Sequence, residues 1–227
     1  MLDVLVFAPH PDDAELGAGG AIAKAVEQGL KVGIIDLTAG EMGTLGTKEI
    51  RLKEAEEASK LLGVEFRENL GLPDGYIGLA ISQEDIFAVA KKIRQYQPKI
   101  VLAPYWEDRH PDHIASSEII TKATHFAKLS KFKFEFPKHK IIQLLYYELN
   151  GQFSPSFIMD ISDVFEKKKK AIMLHKSQFK KFSKEFLPFP VEERCTYYGS
   201  LIAASYGEAF KMQDPLKLND WEVIINK

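Results

Sequence analysis

The sequence of 227 residues predicts an α/β fold, a Rossmann-like and mostly parallel sheet with helices on both faces. Two observations carry this prediction. Short apolar runs alternate with segments of helical spacing from residue 2 to residue 129. Glycine and proline stand at the ends of these segments, where chains turn. The length suits one domain, and we expect a single domain over residues 1–227.

The first part of the chain supplies these elements in order. The predicted strands are 2–8, 31–38, 64–70 and 99–104, and the predicted helices are 15–28, 48–62, 85–97 and 114–129. Thr47 is predicted to cap the second helix, and Gly63 is predicted to end it. Two further apolar runs predict later strands at 140–149 and 156–161.

The remainder is less regular. KFKFEF (131–136) alternates Phe with charge, which favours an edge strand or a packed loop over a nucleic-acid stacking surface. Four lysines at 167–170 lie in a helical pattern over 164–179, and such a run is usually a solvated helix face, so it is assigned no function. Residues 183–199 mix proline, aromatic and charged residues; a loop near the site is one interpretation, and the segment is assigned no function.

The overall charge excludes some classes of function. A net charge of −2 and a pI near 6.3 give no basic surface for nucleic acid. The apolar stretch at residues 2–8 is too short for a secretory signal or a membrane span. The single cysteine, Cys195, fits a reducing compartment, so a cytoplasmic protein is expected.

Two loops rich in His and Asp follow the first and fourth predicted strands. They contain His10, Asp12, Asp13, His110, Asp112 and His113. Ligands of such sheets bind beyond the carboxyl ends of the strands, so both loops are expected at one site. Taken alone, the Asp pair would be turn residues, with Asp13 capping the next helix. The second cluster favours a metal site instead.

The two loops together offer a ligand set for zinc. The first loop supplies one imidazole and one carboxylate, and the second supplies one imidazole. Catalytic zinc takes three such protein ligands and keeps one position for water. His10, Asp13 and His113 satisfy that requirement. The expected cofactor is therefore one zinc ion per chain, which would lower the pKa of water to about 7.

The other three residues then have catalytic roles. Asp12 is expected to be the general base that accepts the proton of water. His110 is expected to act as a general acid toward the leaving nitrogen or as a cation beside the oxyanion. Asp112 is expected to orient His110.

The segments PHPDDAELG (9–17) and RHPDH (109–113) resemble those of the PIG-L/LmbE-like zinc-dependent N-deacetylases, and the resemblance continues to HKSQF (175–179). GEMGTLGTKEIRLKEA (40–55) is most similar to the family's deacetylases of low-molecular-weight thiol biosynthesis. The resemblance implies hydrolysis of the acetamide of an N-acetylglucosamine conjugate, namely N-acetylglucosaminyl-malate of bacillithiol biosynthesis. The partner would be this small sugar conjugate, and the choice between a monomer and a homo-oligomer stays open.

The resemblance also implies that the metal ligands are His10, Asp13 and His113. It implies that the general base is Asp12 and that the second catalytic histidine is His110, with Asp112 as its partner. It also implies that Arg51 contacts substrate, with Arg109 as a weaker candidate. A guanidinium binds a carboxylate through two parallel hydrogen bonds, which suits malate. The alternative for Arg51 is a surface pair with Glu54. Tyr197 or Tyr198 is a candidate for a tyrosine near the oxyanion.

Three other functions compete with deacetylation of this conjugate. A nucleotide-binding module is disfavoured because Ile22 stands where the third glycine of G-x-G-x-x-G belongs. A phosphoesterase with two metal ions needs more bridging carboxylates, and a non-catalytic metal protein needs no separate base and acid. Another N-acetylated sugar or amine remains an alternative substrate. The other histidines, expected to be surface or packing residues, are His125, His139 and His175.

Overall fold

A computed structural model describes residues 1–179 and 190–217. Within these residues, seven strands form one sheet in the order β3-β2-β1-β4-β5-β7-β6. The strands are β1 (Val4–Ala8), β2 (Val32–Thr38), β3 (Phe66–Leu72), β4 (Ile100–Pro104), β5 (Gln143–Tyr147), β6 (Phe157–Asp160) and β7 (Gly207–Met212). The helices are α1 (Asp13–Glu27), α2 (Lys48–Leu62), α3 (Gln83–Tyr96), α4 (Pro111–Lys128), α5 (Phe165–Ile172), α6 (Lys176–Phe179) and α7 (Val191–Ser200).

The first five strands are parallel, which confirms the predicted Rossmann-like, mostly parallel sheet. β1 lies in the middle, and Val4 pairs with Val32 of β2 on one side and Ile100 of β4 on the other. The chain passes from β1 to β2 and β3 on one side and then crosses to β4 on the other side of β1. The carboxyl ends of β1 and β4 therefore flank the crevice where such folds bind ligands. β7 runs antiparallel between β5 and β6.

Two apolar cores lie on opposite faces of the sheet. Val4 and Val6 of β1 pack in the core that α1, α5 and α7 cover. Leu5 and Phe7, whose side chains alternate with these, pack in the core that α3 and α4 cover. β1 is a continuous apolar run because it is buried on both faces of the sheet.

Helix boundaries follow the local sequence. α2 begins and ends as predicted, because the Thr47 hydroxyl accepts the Ile50 N–H and Gly63 takes a left-handed conformation at the end. α4 begins at Pro111, three residues before the predicted start at 114, since proline is well suited to the first helical position. The structure therefore places Asp112 and His113 in the first turn of α4.

Two elements near the C-terminus were not predicted. α7 occupies most of the segment expected to be a loop, and residues 183–189 of that segment lie outside the described residues. β7 was assigned no element in the sequence. KFKFEF forms a packed loop, in which Phe132 and Phe134 contact Phe87. Arg94 holds this loop by donating to the carbonyls of residues 126, 127, 129, 132 and 136.

The lysine run is not a uniformly solvated face, and that prediction was wrong for one residue. Lys168 is 0% exposed. Its Nζ donates to Glu208 Oε1 of β7 at 2.5 Å and to the Leu16 carbonyl of α1 at 3.0 Å. No helix in the described part of the chain is both long and apolar enough to span a bilayer.

Candidate active site

The two predicted loops lie side by side at the carboxyl ends of β1 and β4. They line a cavity of about 400 Å³ together with residues of the 40–43 loop and of α6 and α7. Five of the six predicted metal and catalytic residues line it: His10, Asp12, Asp13, His110 and His113. The sixth, Asp112, is buried beneath them.

His10, Asp13 and His113 bring their polar atoms together at the base of this cavity. Asp13 Oδ2 lies 2.9 Å from His10 Nδ1 and 3.4 Å from His113 Nε2. One donor atom from each residue lies within 4.8 Å of the others, and all three residues are buried. Two imidazoles and a carboxylate in this arrangement form a donor set that fits a divalent metal ion. Asp13 begins α1 and does not cap it, so the capping alternative is wrong.

The charge of the cluster favours a cation. Burial alone would lower the pKa of His113, but the charge of Asp13 and the hydrogen bond with Asp108 raise it to about 9. His10 shows the same balance, since hydrogen bonds with Asp112 and Asp13 outweigh burial and raise its pKa well above the usual value. The field that holds protons on these imidazoles would also stabilise a bound metal ion.

Both histidines have a carboxylate on the ring nitrogen that faces away from this cluster. His10 Nε2 lies 3.1 Å from Asp74 Oδ1 and 3.4 Å from Asp112 Oδ2. His113 Nδ1 lies 3.2 Å from Asp108 Oδ2. Carboxylates in such positions fix the tautomer and the orientation of metal-binding histidines. Asp74 and Asp108 were missed in the sequence, although each follows a strand at this edge of the sheet.

Asp12 lies at the N-terminus of α1, and its backbone has φ 151° and ψ −24°. Its carboxylate is buried and lies 3.3 Å from Nη2 of Arg51. Burial and the neighbouring charge of Asp13 raise the pKa of Asp12 to about 6, although Arg51 acts to lower it. A carboxylate with a pKa near neutrality is suited to accept and return a proton.

His110 and Asp112 are in contact through the backbone. The Asp112 N–H donates to His110 Nδ1 at 3.2 Å. The Asp112 carboxylate instead accepts the N–H groups of Gly75 and Gly78, at 2.7 and 3.0 Å, and faces His10. The expected carboxylate–His110 contact is therefore replaced by a backbone contact. Desolvation and the charges of His113 and His10 lower the pKa of His110.

Arg51 is only 5% exposed, which overturns the alternative of a surface pair with Glu54. Its Nη1 donates to the Gly40 carbonyl at 2.9 Å, so the guanidinium holds the 40–43 loop as well as facing Asp12. Glu54 instead accepts the N–H and the hydroxyl of Ser177. Gln178, which also lines the cavity, donates to the Leu45 carbonyl at 2.6 Å. The HKSQF segment (175–179) thus holds α2 and the loop that precedes it.

A second cavity of about 460 Å³ adjoins the first and shares part of its wall, including Asn150 and Arg194. Arg109 lines it and donates to Asn150 Oδ1 at 3.3 Å. Tyr197 and Tyr198 also line this second cavity, and neither lines the first. The Tyr198 hydroxyl donates to the Glu148 carboxylate.

The chain is similar to known proteins in both sequence and fold. Residues 5–124 match the sequence model of the PIG-L family, GlcNAc-PI de-N-acetylase. The diacetylchitobiose deacetylase of Thermococcus kodakarensis is 31% identical over 223 residues, covering 92% of this chain and 82% of that protein. A probable N-acetyl-alpha-D-glucosaminyl L-malate deacetylase 2 of Bacillus cereus is 30% identical, covering 77% of this chain and 83% of that protein. The crystal structure of a conserved protein from Thermus thermophilus has a TM-score of 0.89 and 41% identity, covering 97% of this chain and 99% of that one.

Proposed function

Because the chain belongs to the PIG-L family of de-N-acetylases, we propose that it hydrolyses the acetamide of an N-acetylglucosamine conjugate. The products would be acetate and the free amine. The observation that carries this proposal is the convergence of a metal-ligand set, a buried carboxylate and an exposed imidazole on one cavity. Amide hydrolysis needs these three components: an electrophile, a base for water and a proton donor.

His10, Asp13 and His113 would hold one zinc ion per chain. Zinc bound there would polarise the amide carbonyl and make water more acidic. Asp12 takes the proton of the attacking water, since its carboxylate lines the cavity next to the ligand set. Arg51 keeps that carboxylate in place.

His110 supplies the hydrogen-bond donor. Because its Nδ1 accepts the Asp112 N–H, the ring carries its proton on Nε2. That N–H donates a hydrogen bond to the developing oxyanion, and the leaving nitrogen receives the proton that Asp12 took from water. An imidazolium would lose the bond from Asp112, which favours the neutral ring over the cation considered from the sequence.

For the substrate, we propose N-acetylglucosaminyl-malate, which would place the enzyme in bacillithiol biosynthesis. The similarity of the 40–55 segment supports this, as does the presence of three guanidinium groups around the two cavities, on Arg51, Arg109 and Arg194. A neutral disaccharide is the second candidate. Glu148 and Glu193 balance Arg109 and Arg194 in the second cavity, and such a balanced lining suits an uncharged sugar.

The test is amine release by the protein loaded with one equivalent of zinc. Three substrates are compared: N-acetylglucosaminyl-malate, diacetylchitobiose and N-acetylglucosamine. A preference for the malate conjugate supports the pathway assignment. A preference for diacetylchitobiose keeps the deacetylase and discards malate, and no amine release from any of them would overturn the proposal. Binding of two zinc ions per chain would instead favour a phosphoesterase.

Arg109 gives a sharper comparison because it is exposed, so its replacement is expected to leave the fold intact. If its guanidinium binds malate, Arg109→Ala lowers kcat/KM for the malate conjugate about tenfold more than for diacetylchitobiose, as expected for one charge-assisted hydrogen bond. Equal losses on both substrates would exclude Arg109 as a carboxylate ligand. Lys99→Ala, which replaces a surface cation paired with Asp3, is the control.

A further inference from the structure

The turn that follows β3 places one carboxylate between the metal-ligand set and the wall of the substrate cavity. Asp74 Oδ1 lies 3.1 Å from His10 Nε2. Asp74 Oδ2 accepts the backbone N–H of Met42 at 2.8 Å. Both His10 and Met42 line the cavity, and Asp74 is only 6% exposed. The two oxygens of Asp74 therefore contact two different parts of the site, the metal-ligand set and the wall of the substrate cavity.

This turn is held on both sides. On the side of the 40–43 loop, the Asp74 N–H donates to Glu41 Oε1 at 3.0 Å. On the side of α4, the N–H groups of Gly75 and Gly78 donate to the Asp112 carboxylate. A residue at position 78 with a Cβ would come within 2.6 Å of Asp112 Oδ1, so the turn packs closely on α4. The position of the Asp74 carboxylate is thus fixed by its backbone as well as by its own hydrogen bonds.

The contact with His10 decides which ring nitrogen is free. Nε2 faces two carboxylates, Asp74 at 3.1 Å and Asp112 at 3.4 Å, and Nδ1 faces Asp13 Oδ2 at 2.9 Å. Because Asp13 would give its oxygen to the metal ion, Asp74 and Asp112 are the carboxylates that accept the N–H of a neutral His10 ring, so that proton lies on Nε2. The lone pair of Nδ1 then points toward Asp13, among the ligand atoms. A carboxylate behind a metal-binding histidine also makes the imidazole a better electron donor.

We propose that Asp74 is a positioning residue that orients His10 toward the metal and, through Met42, sets the wall of the substrate cavity. This inference rests on the proposed function, because it takes His10 as a metal ligand. It couples the two halves of the site, since one displacement of Asp74 would change both metal affinity and substrate affinity.

The experiment compares Asp74→Ala, Asp74→Asn and the control Glu41→Ala. Zinc affinity is measured by competition with a chelator, and the absorption spectrum of the cobalt-substituted protein reports ligand geometry. Asp74→Ala loses both contacts and is expected to bind zinc about 10–100-fold more weakly. Asp74→Asn keeps one acceptor oxygen and is expected to lie between Asp74→Ala and the wild type. Glu41→Ala removes one bond to the turn, but the bonds of Gly75 and Gly78 to Asp112 still hold it, so its zinc affinity is expected to stay within about threefold of the wild type.

Steady-state kinetics on the preferred N-acetylated sugar test the second contact. Asp74→Ala, saturated with zinc, is expected to show a raised KM, because the Met42 N–H loses its acceptor. Zinc affinity of Asp74→Ala within twofold of the wild type, or an equal loss in Glu41→Ala, would overturn the inference. A wild-type protein that binds no zinc would overturn the metal site itself, so the two failures are distinguishable.

Discussion

Asp12 has a backbone conformation, φ 151° and ψ −24°, that residues with a side chain rarely adopt. Such a conformation costs on the order of 1–3 kcal/mol and persists only where the surroundings impose it. Here the start of α1 and the contact with Arg51 impose it. The strain keeps the carboxylate in the cavity beside Asp13, where burial raises its pKa to about 6. The backbone strain at Asp12 destabilises the fold, but it places the Asp12 carboxylate in the cavity.

Asp12→Asn tests the assignment of the base, because it keeps the size of the side chain and removes its ability to accept a proton. We expect kcat to fall by about 10²–10⁴-fold, the usual contribution of a general base. Zinc stoichiometry should stay at that of the wild type, since the ligand set is untouched. Asp163→Asn, at an exposed position paired with Lys24, is the control and should keep full activity. Turnover of Asp12→Asn within threefold of the wild type would exclude Asp12 as the base.

The sequence allowed the six residues of the two loops to be predicted, because their residue types cluster directly after strands. It did not allow Asp74 or Asp108 to be predicted, since a lone Asp in a turn is typical of turns. The contacts of Arg51 were equally hidden. Its position in an apparently solvated helix gave no sign that its guanidinium reaches back to the Gly40 carbonyl and to Asp12. The spacing of residue types along the chain does not show which distant groups a long side chain contacts.

At the scale of elements, Lys168 connects three parts of the fold. Its Nζ, on α5, donates to Glu208 on β7 and to the Leu16 carbonyl on α1. Glu208 in turn accepts the N–H groups of Gly20 and Ala21, at 2.8 and 2.7 Å. The carboxylate is buried, so its charge depends on this lysine for compensation. The pair fixes the antiparallel end of the sheet against α1.

Lys168→Met removes one charge of this pair and leaves the other buried. We expect the free energy of unfolding to fall by about 3–5 kcal/mol, as for other broken buried ion pairs. Lys167→Met is the matched control in the same helix, where the lysine pairs with Glu27 near the surface. It should change stability by less than about 1 kcal/mol. Urea denaturation of both variants makes the comparison, and equal losses would show that Lys168 contributes no more than a surface lysine.

The elements predicted well were those with a clear hydrophobic period and with recognisable start and end residues. β1, β2, β4 and the helices between them satisfy both conditions, and α2 also has its Thr47 cap and Gly63 end. β7 (GEAFKM) does not, because charged residues interrupt its apolar residues, and its buried glutamate is compensated by a distant lysine. α7 has no side-chain cap at its N-terminus, and its sequence mixes aromatic and charged residues. Both elements are stabilised by packing against the rest of the sheet, which local patterns do not report.

At the scale of the whole molecule, a second buried charge network joins the sheet to α1. Arg67 of β3 lies between Glu15 of α1 and Asp36 of β2, with contacts of 2.5 Å and 2.7 Å. His175, which is fully buried, lies 3.5 Å from Glu15. A buried arginine with two carboxylates is stable only while both remain charged or hydrogen-bonded. The network begins two residues after Asp13, so it also fixes the start of α1 under the candidate active site.

This network should make the acid stability of the molecule depend on Glu15. Burial alone would raise the pKa of Glu15, but the charges of Arg67 and His175 lower it from 4.5 to about 2. A carboxylate with a lowered pKa in the folded state stabilises that state fully above its unfolded pKa. The stabilisation is then lost as the pH falls from about 4.5 to about 2. In the metal-free protein, Glu15→Gln should therefore remove about 2–3 kcal/mol of stability near neutral pH and lose correspondingly less stability on acidification.

The measurement is the free energy of unfolding in urea between pH 7 and pH 2.5 for the wild type, Glu15→Gln and Glu56→Gln. Glu56 lies on α2 and forms an exposed pair with Lys60, so solvent screens its charge. Glu56→Gln should follow the wild-type curve closely, whereas the curve of Glu15→Gln should converge with that of the wild type at low pH. Parallel curves for the wild type and Glu15→Gln would mean that the ionisation of Glu15 makes no net contribution to the acid stability. The stability of α1 would then come from its apolar face, where Ala14, Ala18 and Ile22 pack in the core beneath the site.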